Sequence, residues 1–156
     1  MKVIVDKNKI NDLLLRGVEN VYPSREALER VMLSGKRLRI YTGIDPTGAE
    51  IHLGHALFLR KLRELQDLGH EIILLIGDFT GMIGDPTGKF STRRVLTPAE
   101  IRKNEKDYKK QISRILNFSG KNPVKIMHNS KWLGRLRFKD ILELARERGL
   151  VCTGGS

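Results

Sequence analysis

Two short segments carry the residues of this chain that could do phosphate chemistry. Residues 43–55 read GIDPTGAEIHLGH and end in His52 and His55. Three residues apart at the start of a helix, the two imidazoles share one face, beside backbone N–H groups that no helical carbonyl accepts. Residues 77–89 read GDFTGMIGDPTGK and add a hydroxyl at Thr80 and a carboxylate at Asp85. Imidazole and N–H donors favour a bound anion, so the first segment predicts a polyphosphate site.

Other phosphate and metal sites fit these residues less well. Residues 84–89 are one residue short of a P-loop, and Phe90 stands where Ser or Thr would hold magnesium. His70, His128 and Cys152 offer no zinc-ligand spacing, so we expect no protein-bound metal. An isolated His-x-Gly-His is more often simply a helix start with two surface histidines.

Length and composition set the broad class. A chain of 156 residues with 40% hydrophobic residues can form one domain with a core. Its single cysteine allows no internal disulfide. The first residues show no signal peptide, and the longest apolar run, residues 72–76, is too short to span a membrane. We therefore expect a cytoplasmic protein without a membrane partner.

The positive charge is concentrated in the second half of the chain. The net charge is +11, and residues 89–148 hold 17 Lys and Arg against 6 Asp and Glu, while the other residues hold 12 of each. A basic segment beside a phosphate site predicts contact with RNA or a nucleotide. The alternative interpretation is a solvated helix face.

The elements that must position the two segments follow from periodicity and capping. Helical spacing predicts a first helix that stops near Gly17, a second from Ser24 to about residue 33, and a third from about His52 to residue 68. Residues 38–42, 72–76 and 124–127 are typical of strands, the second buried on both faces. Thr97-Pro98-Ala99-Glu100 is a capping box that starts another helix, and residues 130–134 and 138–146 predict two more.

This order of elements predicts a doubly wound α/β fold. Two helices precede three strands that alternate with helices, which favours a parallel sheet. Ligands of such sheets lie beyond the carboxyl ends of the strands. Residues 41–43, 77–78 and 128–129 occupy those ends, so the fold and the motifs agree. We expect an N-terminal helical segment at 1–36, a sheet domain at 37–145 and a divergent tail at 146–156.

Residues 8–145 closely resemble the N-terminal half of bacterial tyrosine–tRNA ligases, which are class I aminoacyl-tRNA synthetases. The resemblance rests on Tyr-x-Gly-x-Asp-Pro-Thr from Tyr41, on His-x-Gly-His and on the loop 77–89. It implies a partial Rossmann-type (HUP-like) parallel sheet with N-terminal helices. It also implies a two-step reaction, in which L-tyrosine attacks ATP, with Mg²⁺, to give tyrosyl-adenylate, and the tyrosyl group then passes to tRNA. The full-length family suggests a homodimer.

The resemblance also implies which residues contact tyrosine. Tyr41 would hydrogen-bond the phenol hydroxyl, a contact that rejects phenylalanine because a buried polar group would lose its partner. Thr80 and Asp85 would hold the ammonium group, and Asn129 matches a position near the tyrosine pocket. Considered one at a time, Tyr41 also fits a core tyrosine, Asp85 an ordinary turn and Asn129 a helix cap.

Further roles are implied for ATP and tRNA. The phosphate contacts in the transition state would come from Thr47, His52 and His55. The adenylate would lie against Gly43, Asp45 and Gly54. Pyrophosphate or the tRNA acceptor end would meet Lys89 and Arg93, which fit solvated surface charges equally well.

The chain departs from the family after about Arg146. The sequence has no second tyrosine-binding helix and no Lys-Met-Ser-Lys-Ser-type loop that grips ATP. We therefore expect an N-terminal catalytic fragment or short form with residual activation or none, and an exposed apolar face on the half-sheet. Two alternatives stay open: a catalytically silent nucleotide- or RNA-binding fragment, and another His-x-Gly-His nucleotidyltransferase.

Overall fold

Three parallel strands form one sheet in the computed structural model, which describes residues 2–47, 50–83 and 96–148. In chain order the elements are α1 (Lys7–Leu15), α2 (Arg25–Leu33), β1 (Arg39–Ile44), α3 (Leu53–Asp67), β2 (Glu71–Ile76), α4 (Thr80–Ile83), α5 (Pro98–Ile112), β3 (Lys125–His128), α6 (Ser130–Leu133) and α7 (Phe138–Glu147). Most of the tail expected at 146–156 lies outside the described residues.

The central strand of the sheet is β2. It pairs with β1 in the register Ile40↔Ile72 and with β3 in the register Ile73↔Lys125. Its residues are buried, apart from the half-buried Leu75, as the uniform apolar run predicts. The predicted partial parallel sheet is therefore confirmed, and its carboxyl edge collects the ends of all three strands.

The main core lies between the sheet and helices α3 and α5. Its buried members are Leu59, Leu62, Ile72, Leu74, Tyr108, Ile112, Leu116 and Val124. Full burial of each large aliphatic side chain contributes about 1.5–3 kcal/mol. Both crossover helices pack on this one cluster, so they cover the same face of the sheet.

Helix caps begin the elements where the sequence predicts them. Ser24 Oγ accepts from the Ala27 amide at 3.2 Å at the start of α2. In the capping box of α5, Thr97 Oγ1 accepts from the Glu100 amide at 3.3 Å, and the Glu100 carboxylate accepts from the Thr97 amide at 2.8 Å. Gly17, just beyond α1, has a φ of +65°, which glycine adopts without strain.

A second cluster holds the N-terminal helices at the far end of α3. Its buried members are Ile10, Leu13, Leu14, Met32 and Leu68. Next to it, His70 is fully buried, and its Nδ1 accepts from the Leu38 amide at 3.3 Å. Burial, followed by the positive charge of Arg37, lowers the pKa of His70. The ring is therefore neutral in the folded chain at pH 7.

The other face of the sheet is only partly covered within the described residues. Tyr41 is 71% exposed there. Helix α7 is strongly amphipathic but buries none of its residues, and Phe138 is 74% exposed. Within the described residues, Tyr41 on this sheet face and the large apolar residues of α7 are therefore exposed.

None of the helices within the described ranges has both the length and the apolar character that a membrane crossing requires.

Candidate functional site at the carboxyl ends of the strands

A chain of hydrogen bonds joins the ends of the three strands. The Thr80 hydroxyl donates to Asp45 Oδ1 at 2.8 Å, which links β2 to β1. Asn129 Nδ2 donates to Thr80 Oγ1 at 2.9 Å, which links β3 to the same point. Three residues predicted for the site are therefore brought together, although 35 and 49 positions separate them along the sequence.

Gly77 lies directly beneath this chain. A Cβ atom built there would lie 1.6 Å from Asp45 Oδ1 and 2.5 Å from Thr80 Oγ1. The buried glycine at the end of β2 thus lets the two side chains close over the strand. Sequence reasoning placed Gly77 at a strand end but did not predict this packing.

The two predicted histidines lie together at the start of α3. His52 is the N-cap residue, and its side chain makes no capping bond. Its ring centroid lies 3.9 Å from that of His55. The buried Nδ1 atom of His55 has no hydrogen-bond partner among the described residues. Gly54 leaves room for the His52 ring, because an added Cβ would come within 3.1 Å of it.

Helix α5 holds the segment between β1 and α3 at two points. Asn104 Nδ2 donates to the Pro46 carbonyl at 2.9 Å. The Ile51 amide donates to Gln111 Oε1 at 2.9 Å. Both ends of the segment that carries Thr47 are therefore hydrogen-bonded to α5, which packs on the main core. Thr47 itself is exposed, and its amide donates to the Asp45 carbonyl at 2.8 Å.

A cavity of about 280 Å³ opens beside these elements, between β1, α3 and α5. Its lining includes Gly43, Asp45, Gly54, His55 and Phe58. A Cβ built on Gly43 would project to the opposite face of β1, the face of Tyr41, and would meet nothing within 4 Å there. Four residues predicted to contact a nucleotide or its phosphates therefore face one cavity.

Tyr41 faces a different groove, because alternate residues of β1 point to opposite faces of the sheet. This groove of about 340 Å³ is lined by Arg39, Tyr41, Ile73, Leu75, Met127 and Trp132. The predicted nucleotide and tyrosine positions thus lie on opposite faces of β1, and they approach each other at its carboxyl end.

Three predicted site residues, Asp85, Lys89 and Arg93, lie outside the described residues. Within the ranges that are described, no group of three or more His, Cys, Asp or Glu side chains could hold a metal ion.

Sequence reasoning missed several polar contacts at the same edge. Asp78 binds Ser130 through both its carboxylate oxygens, and His128 Nε2 lies 2.9 Å from Glu105 Oε1. Burial pushes the pKa of Asp78 upward, but hydrogen bonds from the Ser130 hydroxyl and amide, and then His128, leave that pKa below its ordinary value. The only sequence signal was the position of Asp78 and His128 at predicted strand ends.

The family comparison matches residues 33–149 to the family described as tRNA synthetases class I (W and Y). A protein from Moorella thermoacetica, named tyrosine–tRNA ligase, is 47% identical over 136 residues, which are 85% of this chain and 32% of that protein. One of the same name from Methylococcus capsulatus is 48% identical over 138 residues, 88% of this chain and 34% of its own length. The chain thus spans about a third of the curated relatives it matches.

Solved structures agree on the fold. The structure of tyrosyl-tRNA synthetase from Archaeoglobus fulgidus, determined with L-tyrosine, superposes with a TM-score of 0.68 at 25% sequence identity. The superposition covers 94% of this chain and 41% of the Archaeoglobus chain. A C-terminally truncated mitochondrial tyrosyl-tRNA synthetase from Aspergillus nidulans gives a TM-score of 0.67 at 23% identity, over 93% of this chain and 49% of its own. At that identity, the second similarity concerns the fold alone.

Proposed function

Because the chain belongs to the class I tRNA synthetases of the tryptophan and tyrosine group, we propose that it forms the amino-terminal part of a tyrosine–tRNA ligase. One observation carries this proposal. The Asp45 carboxylate accepts from Thr80 and also lines the cavity that contains Gly54 and His55. A cationic group held at Thr80 and an anionic group held at the start of α3 would therefore meet at Asp45.

ATP would bind on the α3 side of β1. The cavity on this side is lined at Gly43 and Gly54, where no Cβ narrows it for a flat nucleoside, and Phe58 adds an apolar wall. The uncapped start of α3 leaves backbone N–H groups available for phosphate oxygens, and the half-buried ring of His55 lines the same cavity. We assign the same role to His52 and Thr47, which lie at the exposed mouth of the segment.

Tyrosine would bind from the Tyr41 side of β1. Besides Arg39, the groove is lined by the apolar side chains of Ile73, Leu75, Met127 and Trp132, and the Tyr41 hydroxyl would be a polar partner for a phenol. We assign the ammonium group to Thr80 and Asp85, and Asn129 supports Thr80 through the bond from its Nδ2 atom. The carboxylate of tyrosine would then point toward the cavity on the other side of Gly43.

In the proposed reaction a tyrosine carboxylate oxygen attacks the α-phosphorus of ATP, and the bond to pyrophosphate breaks. Negative charge builds on the departing pyrophosphate, and fixed N–H and imidazole donors lower the energy of that state. Magnesium would enter bound to the ATP phosphates. The tyrosyl group would pass to the 3′ end of tRNA in the second step.

The remaining partner assignments rest on charge and on exposed surface. We propose that Lys89 and Arg93 contact pyrophosphate or tRNA. The exposed side of α5 adds further positive charge at Arg102, Lys103, Lys106, Lys109 and Lys110. We also propose that the reaction occurs in the cytoplasm, and that a homodimer of the longer protein covers part of the exposed apolar surface.

Binding of ATP tests the proposed phosphate site directly. In an NMR titration, the amides of Gly43, Gly54 and His55 should shift, and His55→Ala should weaken ATP binding at least 10-fold. Arg60→Ala is the matched control, because Arg60 is an exposed cation on the same helix that does not line the cavity. If both variants lost the same amount of ATP affinity, the loss would come from general electrostatic attraction, and the assignment of His55 to the phosphates would be wrong.

Activation by the chain itself is a separate measurement. Tyrosine-dependent exchange of pyrophosphate into ATP should be far slower than in full-length ligases, because the chain lacks a Lys-Met-Ser-Lys-Ser-type loop. Each lost transition-state contact of this kind costs about 2.7–4 kcal/mol. An exchange rate close to that of a full-length ligase would contradict this expectation.

A further inference from the structure

The Asp78 carboxylate at the end of β2 has no part in the proposed reaction, yet both of its oxygens are engaged. Oδ2 accepts from the Ser130 hydroxyl at 2.6 Å, and Oδ1 accepts from the Ser130 amide at 3.0 Å. Oδ1 also lies 3.1 Å from the Phe79 amide. Asp78 therefore fixes the residue that immediately follows Asn129, from a neighbouring strand.

Asn129 itself is held by two hydrogen bonds, one to β2 and one to the residues just after that strand. Its amide donates to the Ile76 carbonyl at 3.0 Å, and its Oδ1 atom accepts from the Phe79 amide at 2.9 Å. A backbone N–H can only donate, so the side-chain atom that faces Phe79 must be the oxygen. The nitrogen must therefore face Thr80, where Nδ2 donates to Oγ1.

This fixed orientation determines what Thr80 can do. A hydroxyl has one hydrogen and two lone pairs. The hydrogen goes to Asp45, and Asn129 uses one lone pair. The remaining lone pair can only accept, so Thr80 favours a donor such as a primary ammonium group over an acceptor.

We propose that Asp78 and Ser130 are positioning residues: they hold the residue after Asn129 so that Asn129 Oδ1 stays on the Phe79 amide, and that contact sets the donor direction of the Asn129–Thr80–Asp45 chain and makes Thr80 an acceptor for the ammonium group of the substrate. This inference rests on the proposed function, because it takes an amino acid as the ligand. Asp78 and Ser130 touch no substrate in it. They act through the orientation of Asn129.

The first test measures orientation without any ligand. Ser130→Ala and Asp78→Asn should speed amide hydrogen exchange at Phe79 at least 10-fold, while exchange at Leu74 in the centre of β2 stays within twofold of the wild type. Ser130→Thr is the conservative control, because it keeps the hydroxyl and should behave as the wild type. Unchanged exchange at Phe79, or equal acceleration at Leu74 and Phe79, would overturn the positioning role.

The second test measures selectivity for the ammonium group. L-Tyrosine and its desamino analogue, 3-(4-hydroxyphenyl)propionate, are titrated into the wild type and the same three variants. The wild type should favour L-tyrosine, and Ser130→Ala and Asp78→Asn should lower the affinity ratio at least 5-fold through weaker L-tyrosine binding alone. Ser130→Thr should keep the ratio.

The outcomes separate this inference from the proposed function. An unchanged ratio in Ser130→Ala and Asp78→Asn overturns the inference while tyrosine binding stands. If the wild type binds neither compound, the proposed tyrosine site is wrong. The positioning role of Asp78 and Ser130 is then judged from the hydrogen-exchange result alone. A wild type that binds both compounds equally overturns the acceptor role of Thr80.

Discussion

A methyl group added at Gly77 should break the hydrogen bond between Thr80 and Asp45. The new Cβ would lie 1.6 Å from Asp45 Oδ1, much closer than non-bonded atoms approach. The three contacts shorter than 3.0 Å are all with side-chain atoms, Asp45 Oδ1 and Cγ and Thr80 Oγ1, and Asp45 is exposed. We therefore expect the Asp45 side chain to rotate into solvent and the Thr80 hydroxyl to shift, rather than the strand to move.

The cost in stability should be small. A hydrogen bond to a charged group contributes about 1.5–3 kcal/mol, and this solvent-exposed one belongs at the low end. Alanine also reduces the entropy of the unfolded chain relative to glycine, which returns about 0.4–1 kcal/mol. The free energy of unfolding of Gly77→Ala should therefore fall by about 1 kcal/mol, well short of the roughly 2–5 kcal/mol lost when a core Leu or Ile becomes Ala.

Urea unfolding of a small set of variants checks this reasoning. Gly43→Ala is the matched control: it has open space around the new Cβ and should be neutral or slightly stabilising. In an Asp45→Ala background the main clash is gone, so the Gly77→Ala penalty should shrink by at least half. A penalty that is undiminished in that background would show that the clash with Asp45 is not its cause.

Three further outcomes follow from the core and the caps. The pKa of His70 is lower in the folded chain than in the unfolded chain, so the unfolded chain binds a proton more readily. The free energy of unfolding should therefore be at its full value above about pH 6.5 and should fall below that pH. In urea unfolding, the midpoints at pH 7.5 and 5.5 should differ less in His70→Gln than in the wild type. Thr97→Ala should cost about 1 kcal/mol through loss of the capping box of α5, and an unchanged thermal midpoint would contradict this. Ile72→Ala should cost about 2–5 kcal/mol in chemical denaturation, because Ile72 is 1% exposed in the core.

Much of the fold was predictable because its signals are local. The apolar run at 72–76 forms the central strand, and Ser24 and Thr97 begin helices as their capping patterns indicate. Helix α4 was missed because its residues, Thr80–Ile83, lie in a glycine-containing segment whose composition is typical of a loop. Strand β1 extends to Ile44, past a glycine that strand propensity disfavours.

For the candidate site, the sequence predicted which residues belong together but not how they are bonded. The resemblance to the ligase family named Asp45, Thr80 and Asn129, and the rule that ligands lie at the carboxyl ends of strands agreed with placing them at one edge of the sheet. The direction of each hydrogen bond was not predictable, because it depends on how β2 and β3 are aligned. The Asp78–Ser130 contact depends on the same alignment, since it joins residues 52 positions apart.

The two hydrogen bonds that helix α5 makes to the segment between β1 and α3 have a consequence for evolution and design. Asn104 and Gln111 grip that segment at Pro46 and Ile51, and neither lines the cavity with Gly54 and His55. Substitutions on α5 can therefore loosen or tighten this segment while every side chain that lines the cavity stays unchanged. The affinity of the cavity for a ligand could then be tuned from this helix, independently of the residues that line it.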